Sequence, residues 1–333
     1  MKRRQLVLSG AALSGAALSG AALLGGSSLV RAQASSFPKA GSALKYIVPF
    51  PPGGLTDSMA RTVAQKLAEA WKVSVVVENK AGGNAQIGAE QVAKSAPDGS
   101  SLLAITLAQA ANVGLFPTAP YSCTKELRPV ALLAGSPMLV VVPAASPVKD
   151  FKDLIATAKT RQLNAGSSGN GTPPHLTMAL FNDLNKSKMT HVPYRGGAPS
   201  MTDLIGGQLD VIFSNFPESI ALVKSGRLRA IALCSLGRHS MLPDVPTAFE
   251  AGMAGLFVEN WTGVMIQSKT PDDIVDSYSR EIIKIMYTPE VEERARQQGF
   301  RVTPKGSQDF GVFLKSEIDR WNRIIKTAKI TAT

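Results

Sequence analysis

The chain has 333 residues, of which 44% are hydrophobic and 18% charged, with a formal net charge of +11. Its aromatics amount to 6% and its basic residues are scattered without a Lys/Arg block, which excludes the stripe of a nucleic-acid binder and leaves a general attraction for anions. Two cysteines, Cys123 and Cys234, are too few for the disulfide framework of a small secreted scaffold.

Residues 1–34 read as an export signal. Lys2, Arg3 and Arg4 make a basic start, residues 6–30 carry no charge, and Ala32-Gln33-Ala34 supplies a small-x-small cleavage pattern. The paired arginines before Gln5-Leu6-Val7 suit the twin-arginine route as well as Sec. Gly, Ser and Ala dominate where a membrane anchor would use Leu and Ile. The mature chain then begins near Ser35. Losing Lys2, Arg3, Arg4 and Arg31 lowers Lys+Arg from 36 to 32 against 25 acids, a net charge of +7. A mature chain of this length buries a large core and divides into two domains.

Hydrophobic runs of strand length alternate with segments of helical period, so the fold class is α/β with a parallel sheet covered by helices. Residues 44–50 predict a strand. Residues 58–71 predict a helix with Met59, Val63, Leu67 and Trp71 on one face, and 73–78 the next strand. Further on, Gly53-Gly54, helix, strand and Gly82-Gly83 are echoed by Gly169-Asn170-Gly171, a helix at 174–184, a strand at 189–194 and Gly196-Gly197. The recurrence predicts two related lobes with a cleft between them. Runs 134–143 and 259–267 are expected to cross between lobes, giving lobe one as 35–135 plus 262–333 and lobe two as 136–261. The helix predicted at 310–329 then packs back on lobe one. Gly206-Gly207, before a strand at 209–213, reads as a helix C-cap. Cys234, in the apolar run 228–236, reads as a buried thiol, and both cysteines are expected to be free.

Four Gly-rich turns are expected at strand ends, where they lead into helix starts. Glycine lets a ligand approach unshielded N–H groups, and a helix start leaves several of them unpaired, so an anion is best held there. The turns are 49–57 with Phe50, Pro52, Gly53, Gly54, Leu55 and Thr56; 81–84 with Asn84; 165–172 with Ser167, Ser168, Gly169, Gly171 and Thr172; and 192–197 with Tyr194, Arg195, Gly196 and Gly197. Thr106, Gln109 and Asn215 are expected to share the cleft, and Asp57 to cap its helix. A micromolar ligand needs about 8 kcal/mol net. One charge-assisted hydrogen bond supplies roughly 1.5–3 kcal/mol, so donors from both lobes must converge.

Catalytic signatures are missing. Gly166-Ser167-Ser168-Gly169 has the wrong spacing for a nucleophile elbow, and no Gly-x-x-x-x-Gly-Lys loop occurs. His175, His191 and His239 are far apart in sequence and form no metal motif, so no metal and no cofactor is expected. A secreted hydrolase would have to use Ser167 or Ser168 with His175, and neither a base nor an orienting carboxylate is identifiable for it.

Taken in order, 47–54 (Ile-Val-Pro-Phe-Pro-Pro-Gly-Gly) with Asp57 and Arg61, 77–84 (Val-Glu-Asn-Lys-Ala-Gly-Gly-Asn), Pro97-Asp98-Gly99, 166–169, 192–196 (Val-Pro-Tyr-Arg-Gly), 242–247 (Leu-Pro-Asp-Val-Pro-Thr) with Glu250-Ala251-Gly252, Trp261 and Thr270-Pro271 make a recognisable series. The series resembles the Bug family, the tripartite tricarboxylate transporter receptors, over nearly the whole mature chain. The resemblance implies a monomeric, periplasmic solute-binding protein with two type II-like lobes, each a mostly parallel sheet flanked by helices. It further implies a small carboxylate ligand, integral-membrane transporter subunits as partners, and no enzymatic activity. On this chain the implied main-chain donors lie in 50–56, 167–172 and 194–197. Residues 106–112 depart from the family's more polar run, and Leu107, Ala108, Ala110 and Ala111 there point to an aromatic or longer aliphatic acid. A sensor passing its ligand signal to a signalling partner would carry the same features.

Overall fold

The computed structural model describes residues 37–39 and 41–331, so the export signal lies outside the described residues. In chain order the elements are β1 (Ala43–Val48), α1 (Leu55–Trp71), β2 (Ser74–Asn79), α2 (Gln86–Ala93), β3 (Ser101–Thr106), α3 (Leu107–Leu115) and β4 (Leu127–Pro143). They continue with α4 (Phe151–Thr160), β5 (Asn164–Ser167), α5 (Pro173–Asn185), β6 (Thr190–Pro193), α6 (Gly197–Ile205), β7 (Val211–Asn215), α7 (Phe216–Lys224) and β8 (Leu228–Leu233). The chain ends with β9 (Glu259–Gln267), α8 (Asp272–Met286), α9 (Pro289–Gln297), β10 (Arg301–Lys305) and α10 (Ser307–Thr327).

The sheet runs β2-β1-β3-β9-β4-β7-β5-β6, with β8 and β10 also pairing β4. Parallel pairing is confined to β2-β1-β3 and to β7-β5-β6, and every pairing of β4 or β9 is antiparallel. The sheet is therefore more mixed than the strand–helix alternation predicts, because the two crossing strands enter between the parallel runs. β4 does the joining. Leu127–Pro137 pairs with β9, and Met138–Pro143 pairs with β7 and β8, so one strand serves both groups. The described residues from Phe37 onward form one compact unit.

Helical period places Met59, Val63 and Leu67 of α1 in the core, all nearly inaccessible. Trp71 ends that stripe half-buried, its ring 4.9 Å from that of Tyr278. Lys72, at φ 55°, then turns the chain out of the helix. The C-terminal helix α10 packs on α3 and β4, as expected of a helix returning to the first group. Trp261 donates from Nε1 to Glu317 of α10 at 3.0 Å and meets Phe310 and Phe313 edge-on, which accounts for its place in the motif series as core. Cys123 and Cys234 are buried free thiols.

What matters for function is where the parallel strands end. β1, β3, β5, β6 and β7 each run within a few residues into a helix start, and these ends face one another across the molecule.

Candidate functional site

A cavity of about 680 Å³ opens at those strand ends. Of the sequence-predicted residues, Phe50, Pro52, Gly53, Gly54, Leu55, Thr56, Thr106, Ser168, Thr172, Arg195, Gly196, Gly197 and Asn215 line it. Asn84, Gly169 and Tyr194 line an adjoining recess of about 690 Å³ that shares Phe50, Ser168, Thr172, Arg195 and Gly196 with the first. Gln109, Ser167 and Gly171 line neither.

The first wall is the turn after β1. α1 starts at Gly54 with no side-chain cap, so among the described residues the N–H groups of Gly54, Leu55 and Thr56 meet no acceptor. Thr56 adds its hydroxyl. Gly53 is the exception in this turn, since its N–H donates to Asp57 Oδ2 at 2.9 Å. Asp57 also accepts from Arg61 Nε and Asn79 Nδ2, each at 2.9 Å, and Asn79 reaches Phe50 O at 3.1 Å. Burial by itself would raise the Asp57 pKa, but the hydrogen bonds from Arg61, Gly53 and Asn79 outweigh it and hold the carboxyl below its ordinary value. Asp57 thus fastens the turn from behind and leaves the front amides open.

The second wall consumes most of its own donors. In the turn after β5, the Gly169 N–H donates to Ser167 Oγ, the Gly171 N–H to His175 Nδ1 and the Thr172 N–H to Gly169 O. α5 begins with Pro173-Pro174, which have no N–H to offer. What remains among the described residues is the Ser168 N–H and hydroxyl, the Asn170 N–H, and the amides of Gly197 and Ala198 at the uncapped start of α6. The donors expected from 167–172 therefore shrink to two positions, because the turn uses the rest to hold its shape. Gly171 has φ 67°, and a Cβ there would collide with Asn84 Nδ2, so a turn of each strand group touches the other at this point.

Three side chains expected in the cleft are engaged elsewhere. Gln109 Oε1 accepts from the Thr106 N–H at 2.7 Å in a capping box, and the residue is fully buried. Ser167 Oγ lies 2.6 Å from His191 Nε2, and Tyr194 donates to Asp203 Oδ2 at 2.6 Å. Leu107, Ala108, Ala110 and Ala111 are fully buried core of α3. The apolar wall read from 106–112 is thus corrected: only Thr106 of that run reaches the cavity.

His175 and His191, far apart in sequence, are neighbours here. Their rings stack with centroids 4.0 Å apart and planes 11° from parallel. Burial lowers the His191 pKa to about 4, and burial together with the charge of His191 lowers that of His175 to about 3. Both are neutral scaffolding under the Ser167–Thr172 turn. No carboxylate among the described residues holds His191, and neither ring lines the cavity, so the Ser167–His191 contact lacks the parts of a hydrolytic triad.

Sequence reading missed the far side of the cavity. Pro199, Met201 and Ile205 of α6 with Pro217 and Leu222 of α7 form its apolar wall, and Arg227 stands beside them. Asn260 and Glu218 also line it. Burial pushes the Glu218 carboxyl up to about 7, against the lowering effect of the bond from Asn215. Arg195 and Arg227 are exposed, and neither is in an ion pair among the described residues. A signal existed for Glu218, which follows the expected Asn215 at the start of the helix after β7, in the same strand-end arrangement as the other turns. None existed for Arg227 or Asn260. The motif 242–250 lies away from the cavity, where Thr247 and Glu250 cap each other's backbone.

No group of His, Cys, Asp and Glu among the described residues is arranged to hold a metal, and no described helix is long and apolar enough to cross a membrane. An α/β fold with converging helix starts around an open cleft is the architecture of a periplasmic binding protein. The model of the "Tripartite tricarboxylate transporter family receptor" matches residues 59–330, and the chain belongs to that family. The chain is 32% identical to Protein BugT of Bordetella pertussis over 85% of this chain and 88% of BugT. Among solved structures, Rpa4515 of R. palustris with adipate superposes with a TM-score of 0.84 at 32% identity, covering 89% of this chain and 99% of that one. MatC of Rhodopseudomonas palustris with bound malate gives 0.80 at 29% identity, covering 87% and 100%. Members of this family are solute-binding receptors and not enzymes.

Proposed function

We propose that this protein is exported to the periplasm, captures a small carboxylate in the cavity at the strand ends, and delivers it to the integral-membrane subunits of a tripartite transporter. The observation that carries the reading is the set of open amides of Gly54, Leu55 and Thr56 at the uncapped start of α1, on the cavity wall. A helix start with free N–H groups and a favourable dipole is suited to an anion such as a carboxylate. Ser168, Gly197, Ala198 and Arg195 face it from the second wall and would meet the remaining oxygens. On this reading the halves 35–135 plus 262–333 and 136–261 act as lobes that close on the ligand, with β4 and β9 at the crossing. The adipate of Rpa4515 and the malate of MatC support a dicarboxylate or hydroxy acid of modest length as the first class to try.

A thermal-shift panel of aliphatic, hydroxy, amino and aromatic carboxylates on the mature chain tests this. A ligand at about a hundred times its Kd should add roughly 2.7 kcal/mol of stability and raise the Tm accordingly. A panel in which no acid shifts the Tm sinks the reading.

A further inference from the structure

Glu218 is a group that carboxylate capture does not call for. It stands half-buried in the first turn of α7, on the cavity wall. The helix dipole favours an acid in a first turn, which accounts for its place on the helix but not for its facing a cleft built for anions. Among the described residues it has no cation within ion-pair distance and accepts one hydrogen bond, from Asn215 Nδ2 at 3.0 Å. An ionised carboxylate offers about four acceptor sites, so most are unfilled.

The direction of the network carries this further. Because Glu218 accepts, Asn215 turns its amide nitrogen toward it and its oxygen toward Asn260, whose Nδ2 donates at 2.8 Å. That arrangement strands Asn260 Oδ1, which is buried with no donor among the described residues although Asn260 lines the cavity and is 3% exposed. Gly197 has the complementary feature, since a Cβ there would collide with Glu218 Oε2. The missing side chain is what lets the carboxylate lie against the start of α6. One corner of a donor-rich cleft therefore keeps acceptor sites open among the described residues.

We propose that the cleft selects a carboxylate bearing a hydrogen-bond donor next to its acid group, an amino acid in preference to a hydroxy acid, and that Glu218 accepts from that donor. The proposal rests on the carboxylate-receptor reading above. An ammonium suits the corner better than a hydroxyl because it supplies the opposite charge that Glu218 lacks.

Calorimetric titration of the wild type, Glu218→Gln and Glu218→Ala with succinate, malate and aspartate, and with adipate and 2-aminoadipate, tests it, since each series varies only at carbon 2. In the wild type, aspartate should bind about tenfold more tightly than succinate, with malate between them, and 2-aminoadipate should exceed adipate likewise. Glu218→Gln should lose the advantage of the ammonium and keep that of the hydroxyl, and Glu218→Ala should lose both, with circular dichroism unchanged. If an unsubstituted acid binds the wild type as tightly as its amino counterpart, or the ratios survive in Glu218→Ala, the role of Glu218 is overturned while the receptor reading stands. If none of the five acids binds the wild type, this proposal is overturned, and the wider carboxylate panel decides whether the receptor reading stands.

Discussion

The two walls of the cleft are built from the same strand–turn–helix unit but spend their hydrogen bonds differently. After β1 the turn is fastened from behind by Asp57, Arg61 and Asn79, so the front amides of Gly54, Leu55 and Thr56 stay open. After β5 the turn is held by its own amides, which go to Ser167, His175 and Gly169, and two prolines occupy the helix start. The first wall offers main-chain donors to any carboxylate. The second adds side chains, Ser168, Arg195, Asn215 and Glu218, to the cavity wall. On the proposed reading, the same local motif anchors on one side and selects on the other, according to which groups stabilise the turn.

The largest effect is expected from Gly54→Asp. Gly54 has φ −79°, and a Cβ there would meet nothing closer than Pro51 O at 3.7 Å, so the fold should tolerate the change. The new carboxylate would cap the α1 amides itself. Affinity should fall by at least about a hundredfold by titration, with the Tm kept or raised. Binding that survives would mean that the first wall is not the anchor.

Asp57→Ala removes the fastening rather than the donors. It leaves Gly53, Asn79 and Arg61 without their shared acceptor and should cost about 1–3 kcal/mol in denaturant unfolding. Affinity should drop as well, because the amides lose their fixed direction. Loss of stability with unchanged affinity would separate the fastening from the anchor.

Acid should loosen the second wall. The folded-state pKa values of His175 and His191 lie near 3 and 4, below their ordinary 6.5, so between pH 6.5 and 4 the unfolded chain binds protons that the folded chain does not. The stability from this pair is complete above pH 6.5 and is lost as pH falls through that window. Glu218, raised from 4.5 to about 7, acts with the opposite sign, contributing stability below pH 4.5 that declines as pH rises to 7. Melting curves of His175→Gln/His191→Gln should show a shallower fall toward pH 4 than the wild type. Melting curves of Glu218→Gln should show a steeper one.

Ser168→Ala is the smallest change. The hydroxyl has no partner among the described residues and lines the cavity, so its loss should leave the Tm unchanged and weaken binding by roughly 0.5–1.5 kcal/mol. An unaltered affinity would assign the second-wall donation to main chain alone.

Much of this was legible in the chain. Residues 259–267 match β9 to the residue, 73–78 match β2 to within one, and the turn after 44–50 does present free amides. Local rules suffice there, because hydrophobic period and glycine position act within a few residues. They fail where a partner comes from far away. Gln109 has the polarity of a cleft residue, but its side-chain oxygen accepts from the Thr106 N–H, and the apolar run beside it packs in the core with α10. His175 and His191, separate in the sequence, are brought together because β6 pairs in parallel with β5, which sets His191 opposite Ala165.

The sequence by itself determined the alternation of strands and helices, the glycines that permit close approach, and the order of motifs that marks the family, since each is a property of short segments. Only the tertiary structure decided which donors remain free. A turn's amide is either a ligand contact or a structural bond, and the choice rests on whether an acceptor such as Asp57 Oδ2 or His175 Nδ1 arrives within about 3 Å of it. The same holds for Glu218, which joins the cleft because Gly197 has no side chain to keep it out, while Asn260 arrives from β9, 42 residues further along the chain, to donate to the oxygen of the Asn215 that Glu218 holds.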